Sequence, residues 1–215
     1  MKIKWVGKYS GDNLPTTTIS DDSHELPGIT NKSAIVRIPI LFLLIFFLII
    51  KSNFLTGIIL DRRYLLVGLV LGFLMAPIHE LLHAVCFPKG SSVYIFYTTY
   101  GLGTTCISPV RKSRFILLNL FPSVILGVLP LIIFMCIPKE FIAINNILFG
   151  ILFVNIGASY ADYINVIHLL KVPRNATIQI SGEKIILVLK QAILHPIFPA
   201  AEKKKQLLDR VFPHA

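Results

Sequence analysis

Charge is what this chain has least of. Only 15% of its 215 residues are Asp, Glu, Lys or Arg, 54% are hydrophobic, and the mean hydropathy is +0.73. A soluble domain of this length carries more charge, so composition argues for one compact unit surrounded by lipid. Acidic residues are the scarcer sign, 11 against 21 basic ones, for a net charge of +10. That excess is not a nucleic-acid footprint. The basic residues flank apolar spans and form no patch interleaved with aromatics, as juxtamembrane charge does. Cysteine is scarce too. Cys86, Cys106 and Cys136 are an odd count without close spacing, which excludes a disulfide framework. No repeat, phosphate-binding loop or Ser/His nucleophile pair stands out. The N-terminus lacks the pattern of a cleavable signal, because residues 1–33 are polar and the first apolar run starts late, so that run is expected to act as its own insertion signal.

What is present is long apolar runs. Spans are expected at about 34–50, 64–87, 115–137 and 141–164, each near the length that crosses about 30 Å of hydrocarbon. The expected fold is an all-α membrane protein, a bundle of about four transmembrane helices with a short β-hairpin-like loop after the second. Three regions follow: a polar, mostly irregular segment 1–33, a transmembrane domain 34–171, and a basic tail 172–215 whose Lys203-Lys204-Lys205 run ends in a basic helix. Of the 21 Lys and Arg residues, all but Lys51, Arg62, Arg63 and Lys139 fall on the side shared by the termini and the 88–114 loop. Positive charge stays on the cytoplasmic face, so both termini are expected there, in an integral multi-pass protein of the cell membrane.

Within the second span stands His79-Glu80-Leu81-Leu82-His83, an HExxH motif. On a helix the two histidines are four apart and share a face, so both imidazoles reach one metal ion. Glu80 projects beside them, placed to take a proton from a metal-activated water. Ionisable groups are costly in hydrocarbon, and three within five residues is a heavy burden for packing alone. Catalytic zinc takes three protein ligands. Among the later carboxylates, Glu140 falls on the opposite side, and Glu183, Glu202 and Asp209 lie in the tail. Asp162, near the end of the fourth span, is the candidate third ligand. Asn165, three residues on, shares its face and is the candidate to orient it. His168 is a weaker ligand candidate, and His195 and His214 are expected at the interface.

These stretches resemble the site-2 protease clan of intramembrane zinc proteases, and more closely a small bacterial membrane family described as putative zincin peptidases. The resemblance rests on Ile78–Ala84, the proline-containing Leu118–Pro130, and Ala158–Ile178, and covers about residues 64–180. It implies one zinc ion per chain, a membrane-protein or peptide substrate among membrane lipids, no nucleic acid, and a bacterial source.

Ser92–Tyr100 is rich in β-branched and aromatic residues, Gly101–Gly103 is expected to turn the chain, and Thr104–Ser108 to return it. Tyr94, Phe96 and Thr98 are then candidates for an exposed edge that pairs with an unwound substrate. Pro77, Pro122 and Pro130 are expected to loosen their helices and free backbone carbonyls. Three readings compete: a metalloprotease, a zinc hydrolase of a lipid-like substrate, and a non-catalytic zinc-binding or metal-transporting protein. Transport needs further ligands along a path, for which only His168 and Asn155 offer themselves.

Overall fold

The computed structural model describes residues 1–10, 13–17, 23–27, 33–99, 101–182 and 184–188. His195, His214, Lys203–Lys205 and the expected C-terminal helix lie outside them. In chain order the elements are β1 Lys2–Lys8, β2 Ser23–Glu25, α1 Arg37–Phe54, α2 Arg62–Leu74, α3 Ala76–Val85, β3 Ser92–Thr98, β4 Gly101–Thr105, β5 Val110–Arg111, α4 Lys112–Ser123, α5 Leu129–Cys136, α6 Ile142–Ala158, α7 Tyr160–Leu170, β6 Thr177–Ser181 and β7 Lys184–Val188.

The described residues are 56% helical and 19% strand, with two sheets, and this overturns the all-α expectation. One sheet has the order β1-β3-β4, with β1 parallel to β3 and β3 antiparallel to β4. The other has the order β2-β7-β6-β5. Both recruit residues from the polar flanks, with β1 and β2 supplied by the N-terminal segment. The physical reason is alternation. Lys2-Ile3-Lys4-Trp5 and Thr177-Ile178-Gln179-Ile180 alternate polar with apolar, which is strand periodicity too short to register against long hydrophobic spans. The hairpin forms, but its turn lies between Thr98 and Gly101, which face each other, and Gly103 sits within β4 opposite Phe96.

Among the described residues two helical rods are long and apolar enough to cross a membrane unaided: α1, of 18 residues, and the 25 residues Lys112–Cys136. The latter joins α4 to α5 through a π-helical turn at Val124–Val128. The other two candidates are bent pairs. Helices α2 and α3 meet at 42°, and α6 and α7 at 45°. Pro77, in the first turn of α3, supplies the first bend, having no N–H for the carbonyl four residues back and a ring that crowds it. The second has no proline. Ser159 sits at the break, and its hydroxyl donates to the Asn155 carbonyl at 2.8 Å, a back-bond that bends helices.

Helices α2 and α6 pack at backbone distance. A Cβ on Gly68 would lie 2.3 Å from the Ile147 carbonyl oxygen, and one on Gly150 would lie 2.6 Å from the Gly68 carbonyl carbon. Small residues let membrane helices approach this closely, where dispersion rather than water drives association.

Two cores result. Leu44, Phe134, Phe149, Leu152 and Ile156 fill the helical end. Ala84, Phe87, Val93, Phe115, Leu118, Leu169, Ile178 and Leu187, among others, fill the sheet end. Large apolar side chains such as Phe42, Phe46, Leu66, Phe73 and Ile132 stay exposed on the outer helix faces.

Candidate metal centre

The motif falls on α3, which begins after the bend at Met75. Ten residues of regular helix carry His79 and His83 one turn apart on its inner face, both buried. Their Nε2 atoms lie 3.1 Å apart. Asp162, in the first turn of α7, approaches from across the bundle. Its Oδ2 is 3.3 Å from His79 Nε2 and its Oδ1 is 3.5 Å from His83 Nε2. The break at Ser159 matters here, because it re-aims the chain so that the first turn of α7 faces α3. An acid in a first turn is also favoured by the helix dipole.

The tautomer of His83 is fixed by its surroundings. Its Nδ1 donates to the Leu118 carbonyl at 2.8 Å, so Nε2 keeps its lone pair and turns it toward His79 and Asp162. That carbonyl is available for a reason legible in the chain. Within a helix, Leu118 would accept from the N–H of residue 122, and residue 122 is proline.

Glu80 is also buried, and His79, Glu80 and His83 offer ligand atoms all within 4.8 Å of one another. The Thr104 hydroxyl on β4 donates to Glu80 Oε2 at 2.7 Å, with the Glu80 backbone carbonyl 3.2 Å away. The hairpin therefore holds the carboxylate at the edge of the cluster.

These donors fit a zinc ion. With Zn–N bonds of ~2.0–2.1 Å, neighbouring tetrahedral ligands lie about 3.3 Å apart. The three separations between His79, His83 and Asp162 run from 3.1 to 3.5 Å. Two imidazoles and a carboxylate converging at those distances make a set that one divalent cation satisfies.

The cluster lies in a cavity of about 730 Å³ that reaches from α3 and α4 across to β4 and the β6–β7 turn. Asn165 lines the same cavity, and its amide donates to Asn119 Oδ1 at 3.0 Å, while Asn119 itself donates to the Phe115 carbonyl at 2.8 Å. Asn119 and Thr104 escaped the sequence reading because nothing local marks them; tertiary packing alone brings them here. His168 and Asn155 are not among the residues that line this cavity. Cys86, just past α3, is half-buried, and its backbone carbonyl accepts from Arg114.

Tyr94, Phe96 and Thr98 do not form an edge. Strand β3 is central, paired with β1 on one side and β4 on the other, so among the described residues the free edges of this sheet belong to its outer strands, β1 and β4, of which β4 borders the cavity. Residues 92–100 were expected at the edge because the parallel partner, β1, comes from nearly ninety positions earlier and leaves no local mark.

Residues 72–177 match a family described as putative zincin peptidase. The matched stretch holds His79, Glu80, His83, Thr104, Leu118, Asn119, Asp162 and Asn165, which is the whole cluster with its supports. It supports placing the chain in that family and suggests a zinc metallopeptidase. No curated protein and no solved structure matches the chain significantly.

Proposed function

We propose that this chain is an integral membrane zinc metallopeptidase that hydrolyses peptide bonds within or near the bilayer. The observation that carries the reading is the convergence of His79 and His83 with Asp162, from two helices far apart in the chain, at ligand-to-ligand distances. His79, His83 and Asp162 would hold one zinc ion, and Asn165 with Asn119 would brace the wall behind it. Zinc bound there supplies Lewis acidity, lowering the pKa of a water and polarising the scissile carbonyl.

The chain's own residues do the rest. Glu80 accepts the proton of the attacking water and hands it to the leaving amine. Thr104 holds the Glu80 carboxylate in place for both transfers. The His83–Leu118 bond keeps one imidazole in the tautomer that offers a lone pair. A substrate strand would add to the free edge of β4, whose Leu102, Gly103, Thr104 and Thr105 line the cavity. That placement presents an extended backbone to the cluster, which helical substrate cannot do.

Setting the cluster between bent, apolar helices supports the resemblance to site-2 proteases and an intramembrane location. Metal transport is the weaker reading. Among the described residues lining the cavity, the His and carboxylate groups are His79, Glu80, His83 and Asp162 alone, and they form one site rather than a path.

The test is metal content beside cleavage. Glu80→Gln is expected to keep about one zinc per chain and to lose peptide hydrolysis by at least ~10²-fold. His83→Ala and Asp162→Ala are expected to lose the metal. Wild-type zinc content in Asp162→Ala removes that residue from the ligand set, and unchanged hydrolysis by Glu80→Gln removes the general base.

A further inference from the structure

Arg37 opens α1, outside both the HExxH helix and the stretch that matches the peptidase family. Its side chain nevertheless lines the cavity that holds the metal cluster. The guanidinium lies over the ring of Tyr160, 3.8 Å from its centroid. Tyr160 is two residues before Asp162 and lines the same cavity, so the stack fixes Arg37 relative to the cluster.

The remaining chemistry of this group is unspent. A guanidinium stacked on an aromatic ring keeps its N–H donors free around the rim. Among the described residues no carboxylate or carbonyl engages Arg37. The two acidic side chains of the cavity are occupied elsewhere, Asp162 by the imidazoles and Glu80 by Thr104. Arg37 is also the only Lys or Arg among the described lining residues. Arg37 is exposed, so its oriented donors face the solvent-filled mouth of a cavity whose two carboxylates are engaged elsewhere; such a fork is a receptor for a planar anion, and a carboxylate matches its geometry in bidentate fashion.

We propose that Arg37 is a specificity-determining residue that binds a carboxylate of the peptide substrate, either its C-terminus or an acidic side chain near the scissile bond. This deepens the metallopeptidase reading and rests on it. Tyr160 is the positioning residue, holding the guanidinium flat.

The test uses the full-length protein in detergent, loaded with cobalt(II), whose thiolate charge-transfer band reports ligand binding at the metal. Three probes are titrated: mercaptoacetyl-Phe-Leu as the free acid, the same probe as its C-terminal amide, and mercaptoacetyl-Phe-Glu amide. Wild type is expected to bind at least one carboxylate-bearing probe about tenfold or more tightly than the neutral amide. The probe preferred tells a terminal carboxylate from a side-chain one. Arg37→Gln is expected to lose that preference while binding the neutral amide as wild type does, which also shows that it is folded. Arg37→Lys is expected to restore only part, since an ammonium lacks the fork. Equal affinity of all three probes for wild type, or a preference that survives Arg37→Gln, overturns the proposal. Failure of wild type to take up cobalt is a different result: it overturns the metallopeptidase reading and this inference with it.

Discussion

Pro122 acts twice. It removes a hydrogen bond from α4, and the carbonyl it leaves over, that of Leu118, orients His83. Substituting Pro122→Ala restores an N–H that competes for the same carbonyl. Support of this kind is worth about 10–100-fold in metal affinity, so the variant is expected to bind zinc about tenfold more weakly without unfolding. Competition with a chelator of known affinity measures it, and unchanged affinity would mean that Leu118 is not steering His83. Thr104 gives the complementary case. Thr104→Val keeps shape but removes the donor to Glu80 Oε2, and is expected to slow peptide hydrolysis by roughly tenfold while zinc content stays at the wild-type level. At this scale the sequence was most readable where geometry is local. Four-residue spacing puts His79 and His83 on one face wherever α3 goes, and a proline always frees the carbonyl four back. Asp162 emerged by elimination among few carboxylates. Thr104, Asn119 and Arg37 carried no mark, because each reaches the cavity from an element whose place is set by long-range packing.

At the scale of elements, the hydrophobic spans were legible and their interruptions only half so. Pro77 announces the bend between α2 and α3. Ser159 announces nothing, since its effect depends on the hydroxyl turning back to Asn155. The strands were hidden for a related reason: β1 and β6 are short alternating runs in polar flanks, β1 pairs with the distant β3, and β6 pairs with the distant β5 as well as with its hairpin neighbour β7. Glycines on the helices divide sharply by neighbourhood. A Cβ at Gly150 meets α2 backbone at 2.6 Å, whereas one at Gly157 meets nothing within 4 Å. Both substitutions gain the same intrinsic preference of alanine for helix, roughly 1 kcal/mol. Gly150→Ala is nonetheless expected to lower the thermal unfolding midpoint in detergent by several degrees, because two helices must move apart, and Gly157→Ala to leave it level or raise it. Equal behaviour of the two would show that α2 and α6 are not in backbone contact.

For the whole molecule, the two ends differ in kind. At one end, Lys51 is fully buried and donates to the carbonyls of Phe134 and Ile137 at 2.6 Å each and to Thr56 at 2.7 Å, tying the end of α1 to the end of α5. Asn146 adds a bond to the Ile59 carbonyl and one from the Asp61 amide, which ties α6 to the connector. At the other end lie both sheets and the metal cluster. The 25-residue rod between them spans about 37 Å, enough to cross the hydrocarbon. Lys51, Lys112 and Arg114 all spend their charge on carbonyls near helix C-termini, so none counts as a free loop charge. Setting them aside takes one from the poorer side and two from the richer, and we propose from the remaining bias that the sheet end faces the cytoplasm. Single cysteines decide this. With Cys86, Cys106 and Cys136 replaced by alanine, Lys89→Cys reports the sheet end and Glu140→Cys the opposite turn, both positions being exposed. A membrane-impermeant maleimide is expected to label Glu140→Cys in right-side-out vesicles and Lys89→Cys only in inside-out ones. The reversed pattern would invert the molecule and put the cavity on the outer face. Labelling of both from one face would mean that the rod does not cross, and a cluster so buried among apolar helices would then need another explanation than lipid.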